Sequence, residues 1–324
     1  MSSKSNQKPR GALLSLPTFK DSDFNLLLDR QRIHIKWLLE NGFTKDVGTL
    51  AIAGGMGEGY FLEDEEWKSL VDTLASEADS SVPTCVGVYE MSARAAAKKA
   101  QYAAGVGIDF IQLTPPHYLL PNEDEIFAHY KYVNDSAEIG IIAYNTPWAM
   151  PNPGYEFSRS LFERFSDLEN IVGIKWSGFN VKHVLQMIRL FKERFNFLDN
   201  NRIFSHGARM GSVGFTEFYG NVAPRLTIKL WDLYKNKLYN ELDQFELELE
   251  FDPEMKLMDS TKSPSRFMGE GTASNMILSA MGMDIGPPFP AQLRIEGETL
   301  NSYREFVQKS GLLKWVDWDQ NIFN

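Results

Sequence analysis

The run Ile171-Val172-Gly173-Ile174 leads straight into Lys175, and Trp176-Ser177-Gly178 follows. An ammonium is strongly hydrated and is seldom buried without a partner. At the end of an apolar strand it is desolvated, and a desolvated lysine gives up its proton and becomes a nucleophile toward carbonyl carbon. Bringing a lysine from near 10.4 to roughly 7–8 takes about 3–5 kcal/mol of differential destabilisation, which a strand end in an apolar interior can supply. A lysine leaving the core with its head in water writes the same sequence, so the rest of the chain must decide. Other groups suited to carbonyl chemistry are the glycine-rich loop GGMGEG (54–59), Tyr118 in PPHY, Tyr144 before Asn145, and Ser205-His206-Gly207-Ala208-Arg209. Glycines let backbone N–H groups close on an anion such as a carboxylate. A tyrosine hydroxyl both donates and accepts, as a proton shuttle must.

Something must hold these groups together, and the pattern alternates. Strand-like runs are GALLSL (11–16), TLAIAGG (49–55), VPTCVGVYE (82–90), DFIQLTPP (109–116), EIGIIAYNTP (138–147), IVGIK (171–175), NRIFSHG (201–207) and SVGFTEF (212–218). Helical periodicity lies between them, in 24–42, 63–78, 91–105, 124–136, 155–167 and 181–195. Alternation implies a parallel sheet with helical crossovers, and about eight strands is the number that closes a barrel. The expected fold class is α/β, a (β/α)8 barrel with a C-terminal helical extension. A doubly wound open sheet would want a phosphate fingerprint after the first strand, and GALLSLPTFKDSD has none. The expected organisation is a loose tail over 1–10, the barrel over 11–223, and the last barrel helix with the extension over 224–324. In such a barrel the site lies at the carboxyl ends of the strands, where the groups named above all fall.

Composition narrows the partners. At 324 residues, 43% hydrophobic and with a net charge of −10, the chain reads as a packed globular protein with no basic face for nucleic acid. No apolar window approaches a membrane span, and the polar start MSSKSNQKPR lacks a signal-peptide core. The single cysteine, Cys85, excludes an internal disulfide and fits a reducing, cytoplasmic setting. Five histidines (34, 117, 129, 183 and 206) show no paired ligand spacing, so no metal is expected.

GGMGE (54–58), TPPHYLLP (114–121), YNTP (144–147) and VGIK (172–175), in that order, resemble the dihydrodipicolinate synthase / N-acetylneuraminate lyase family, class I pyruvate-type lyases on this barrel. The likeness runs from Gly11 to about Asn221, with a weaker echo in GMDIGPPFP (282–290). It implies an imine between Lys175 and the ketone of a small 2-oxo acid, with no further cofactor. It implies Tyr144 as proton shuttle and Tyr118 as relay tyrosine, which in some members crosses into a neighbouring subunit. Gly55, Met56 and Gly57 would hold the substrate carboxylate, while His206, Gly207 and Arg209 would read its far end. A dimer or tetramer is implied as well. The sequence also departs from the family. The loop threonines of the synthase are Gly55 and Met56 here, and its arginine after Tyr-Asn-x-Pro is Ala149. The resemblance therefore points away from lysine biosynthesis and toward aldol chemistry with pyruvate or dehydration of a keto-deoxy sugar acid. The missing hydroxyl at Gly55 also admits a barrel that binds a 2-oxo acid without turning it over.

Overall fold

The structure, a computed structural model, describes residues 7–150, 152, 154–249 and 269–323. The first six residues of the expected tail, and residues 250–268 and 324 of the expected extension, lie outside them. Eight parallel strands close into a barrel in chain order. They are β1 (Gly11–Ser15), β2 (Gly48–Ile52), β3 (Thr84–Val88), β4 (Phe110–Leu113), β5 (Gly140–Asn145), β6 (Ile171–Trp176), β7 (Asn196–Asp199) and β8 (Gly214–Glu217). The seam is β1 against β8, with Gly11 opposite Gly214. Between the strands run α1 (Leu28–Glu40), α2 (Asp64–Ala78), α3 (Ala93–Gly105), α4 (Glu123–Asn134), α5 (Arg159–Phe165), α6 (Val181–Phe191) and α7 (Phe204–Met210), and α8 (Pro224–Lys235) follows β8. Local chemistry marks the starts. Glu63 and Glu66 form a capping box on α2, Asn122 and Glu125 another on α4, and Pro224 opens α8.

The strands bury both faces, as a parallel barrel requires, with only Asn196 of β7 and Thr216 of β8 half-buried. Leu13, Ala51, Cys85, Phe110, Ile142, Val172 and Leu198, one from each of β1 to β7, form their own cluster inside the barrel. The alternate residues pack outward against the helices. In β6 the alternation slips: Ile141 faces Ile171, but Ile142 faces Gly173, leaving Val172 as an extra residue. Strict alternation from an inward Val172 would turn Lys175 outward. The bulge instead turns Ile174 and Trp176 outward, into the sheet–helix core, and Lys175 inward.

One strand and one helix differ from the expectation. The residues 201–207 do not form β7; that strand is Asn196–Asp199, and α6 stops at Phe191 instead of running through residue 195. Phe191 and Phe195 have helical spacing, which disguises the turn between them. Phe195 and Phe197 then alternate about Asn196 as strand residues do.

Beyond α8 the chain adds α9 (Tyr239–Glu248), α10 (Glu270–Ala280) and α11 (Gly297–Lys309). Its last described turn returns to the first helix. Trp318 meets Trp37 edge-on at 4.9 Å between ring centroids, and Phe323 meets Phe19 at 5.3 Å. No helix among the described residues is long and apolar enough to cross a membrane.

Candidate active site

β5 and β6 set the centre. Their register puts Tyr144 beside Lys175, and the Lys175 Nζ lies 4.1 Å from the centre of the Tyr144 ring. Lys175 is 5% exposed. Burial lowers its pKa to about 8, against smaller upward pulls from Glu270 and Cys85. Cys85 is pushed up to about 12 by its own burial and stays a thiol. The lysine of the apolar strand is therefore a buried cation held against a ring face, with its free-amine form within reach of neutral pH.

The Tyr144 hydroxyl faces β7. Asn200, just past that strand, extends Nδ2 to 3.5 Å from the Tyr144 hydroxyl oxygen. The same amide donates to Ser177 Oγ, and its Oδ1 accepts from Thr216 Oγ1. Three strand ends thus orient one tyrosine. Trp148 stands edge-on to the Tyr144 ring at 6.1 Å, whereas Trp176 faces the helices and stacks on Phe162. On the other side, Tyr89 follows β3 and accepts a hydrogen bond from Gln112 Nε2 at 2.8 Å. Burial, reinforced by the Glu270 carboxylate, raises the Tyr89 phenol well above its usual range.

The GGMGEG loop follows β2. Its turn uses the N–H groups of Gly57 and Gly59, both to the Gly54 carbonyl, and of Glu58 to Gly55. The amides of Gly55 and Met56 are not part of that turn. Ala53 and Glu58 adopt left-handed backbone angles, φ 50° and 57°. Such strain persists only where the surroundings enforce it. Here Thr18 Oγ1 donates to the Gly57 carbonyl at 2.6 Å, and Glu58 is clamped from three sides. Lys20 pairs with Glu58 in full burial, with 0% and 2% of the two side chains exposed. The Phe289 N–H and Gln292 Nε2 donate to the other oxygen of Glu58 at 2.6 and 2.7 Å.

α10 lies on this loop. Ser274 Oγ donates to the Met56 carbonyl at 2.8 Å. Its first residue, Glu270, puts its carboxylate where a side chain on Gly55 would begin. A Cβ built there would lie 1.7 Å from Glu270 Oε2.

The remaining expected residues are elsewhere. Tyr118 is 80% exposed, in an irregular turn with Leu119 and Leu120, and is not brought to Tyr144 within the chain. His206, Gly207 and Arg209 do not line a loop after β7, because FSHGARM is α7. Gly207 is inside that helix and His206 is exposed. The Arg209 guanidinium stacks 4.4 Å over Tyr239 of α9, on the outer layer. Misplacing β7 by a few residues carried these three residues onto the rim. The residue that does stand there, Asn200, follows the true strand end, and Tyr89 was visible as the polar end of TCVGVY. Glu270 left no mark in sequence beyond the bare glycine opposite it.

Comparisons with known proteins agree with this fold. The dihydrodipicolinate synthetase family matches residues 14–253. A 4-hydroxy-tetrahydrodipicolinate synthase of Methylobacterium radiotolerans is 30% identical over 232 residues, 71% of this chain and 75% of its own. Among solved structures, dihydrodipicolinate synthase from Aquifex aeolicus superposes with a TM-score of 0.81 at 20% identity, covering 95% of this chain and all (100%) of that one. CdNal from Clostridium difficile, solved in complex with mannosamine, gives 0.78 at 18% identity, over 93% of this chain and 99% of its own.

Proposed function

Because the chain belongs to the dihydrodipicolinate synthetase family, we propose that it is a lyase that forms an imine between Lys175 and a 2-oxo acid. The observation that carries this reading is the buried Lys175, lowered to about 8 and lying against Tyr144. The neutral amine adds to the ketone carbon, and the carbonyl oxygen takes up a proton. The carbinolamine then loses water to give an iminium, which draws electrons from the bond to be broken. Tyr144, steered by Asn200, hands protons on and off the carbinolamine oxygen. The amides of Gly55 and Met56 hold the carboxylate of the acid. Tyr118 serves in this reading across a subunit interface, since it stands exposed with two leucines beside it.

Within this chemistry we favour aldol cleavage or condensation with pyruvate, or dehydration of a keto-deoxy sugar acid, over the reaction named in the relatives. Ala149 offers no charge to a second carboxylate at the position where the synthase resemblance calls for arginine. A 2-oxo acid binder without turnover is the second reading, favoured by the absence of any hydroxyl at Gly55.

Pyruvate with borohydride, read by peptide mass, tests the premise. A reduced adduct on Lys175, lost in Lys175→Ala, is expected. An adduct that persists in that variant, or none in the unsubstituted protein, refutes it. A screen of 2-oxo sugar acids and of aldehydes with pyruvate then separates lyase from binder by turnover.

A further inference from the structure

Gly55 is not in the left-handed region, so its backbone does not require glycine. What glycine supplies there is space. The three atoms nearest to a Cβ built on Gly55 are Glu270 Oε2, Cδ and Oε1, at 1.7, 2.4 and 2.7 Å. A carboxylate occupies the place of a loop side chain. From beside Gly55 the Glu270 charge favours the ammonium of Lys175 and raises the phenols of Tyr89 and Tyr60. Glu58, the neighbouring acid, is already committed to Lys20, Phe289 and Gln292. Glu270 lies beyond residue 253, where the family match ends. The segment that delivers it is fastened by Ser274 on Met56 and by Gln292 Oε1, which accepts from the Gly271 N–H at 3.2 Å.

Imine chemistry on a 2-oxo acid needs a base at the carbon next to the imine carbon. The Tyr89 phenol is held protonated by its surroundings and can relay a proton but not store one. We propose that Glu270 is a catalytic acid–base residue, brought to the imine by the chain beyond the barrel in place of a loop side chain at Gly55. This rests on the imine at Lys175 proposed above. In the forward step the C3–H bond of the iminium breaks and its proton goes to the Glu270 carboxylate, directly or through a tyrosine hydroxyl. The C–H electron pair forms the enamine C=C bond, and the C=N pair moves to nitrogen and cancels its charge. Reprotonation at C3 by the carboxylic acid restores the imine, with no oxidant or reductant involved.

The test uses pyruvate in deuterium oxide, following loss of the methyl signal by proton NMR, beside borohydride trapping. Glu270→Gln should slow methyl exchange by about 10²–10⁴, the usual effect of a positioned acid–base group, while Lys175 is still trapped. That trapping also reports a folded mouth. Glu270→Asp, which keeps a carboxylate on a stem one carbon shorter, should retain part of the exchange that Glu270→Gln loses. Wild-type exchange in Glu270→Gln, or equal losses of trapping and exchange, would overturn the role and leave Glu270 a docking contact. Exchange absent from a wild-type protein that is trapped would overturn it too. No trapping in the unsubstituted protein removes the imine reading itself, and this inference with it.

Discussion

Lys175 and Glu270 reach one barrel mouth by different routes. Lys175 is placed by ladder hydrogen bonds between neighbouring strands, and a single bulge decides which way it faces. Glu270 is placed by a helix laid over a loop, through contacts between residues more than two hundred positions apart, such as Ser274 with Met56. The ladder fixes chemistry by register and is local. The docked segment fixes it by tertiary packing, which can differ between chains that share the ladder. A barrel can thus keep the half of its mouth that the strands carry while the other half is supplied by a segment docked on it.

The sharpest way to break this contrast is within the ladder half. Tyr144→Phe should lower turnover by about 10²–10⁴, with the far-ultraviolet circular dichroism unchanged, because only the hydroxyl that Asn200 approaches is lost. A loss below tenfold would remove Tyr144 as proton shuttle.

The docked half is tested through stability. Lys20→Met leaves the Glu58 carboxylate buried without its cation, and breaking such a pair costs about 3–5 kcal/mol. Urea unfolding should show that loss, and the double variant with Glu58→Gln should recover part of it. An effect under about 1 kcal/mol would mean that water reaches Glu58 and that the clamp on the loop is weak.

The pH dependence comes next. Nucleophilic attack needs the neutral amine, so the rate of adduct formation should fall about tenfold per unit below the Lys175 pKa of about 8 and level off above it. Burial lowers the lysine, so the midpoint must lie below the ordinary value. A midpoint near 10.4 would show a solvated lysine and contradict the buried geometry.

The smallest effect is expected on the outer layer. Arg209→Ala removes a stacking contact with Tyr239, about 0.5–1 kcal/mol at an exposed site. The rate should change by less than about twofold for any substrate, since the guanidinium is held on a ring of α9. A selective loss on acids with an anionic far end would return Arg209 to the site.

What could be read from the sequence follows the same division. Alternating apolar runs located seven of the strands, because each is a short buried segment bounded by polar turns. They located Lys175 and Tyr144 because a strand end is a place on the rim. They failed at β7, where Phe191 and Phe195 imitate one more helical turn, and His206, Gly207 and Arg209 were read at a strand end although they lie within α7. The bulge that aims Lys175 inward cannot be seen in IVGIKW, since it exists only against the register of β5. Glu270 could not be read at all, because its position depends on how α10 docks. Gly55 was the only trace it left, a vacancy in a motif that the facing chain fills.

The seam between β1 and β8 bears on how the protein is made. A chain growing from its amino end lays down β1 first and must keep that edge unpaired until Gly214–Glu217 arrives to face it. Until then the open sheet carries two bare parallel edges lined with apolar residues, the kind of surface on which nascent chains pair with one another. Closure of the seam removes both edges at once. The mouth waits longer still, for Phe289 to reach Glu58. In chain order, Lys175 therefore precedes both the strand that closes its barrel and the segment that finishes its surroundings.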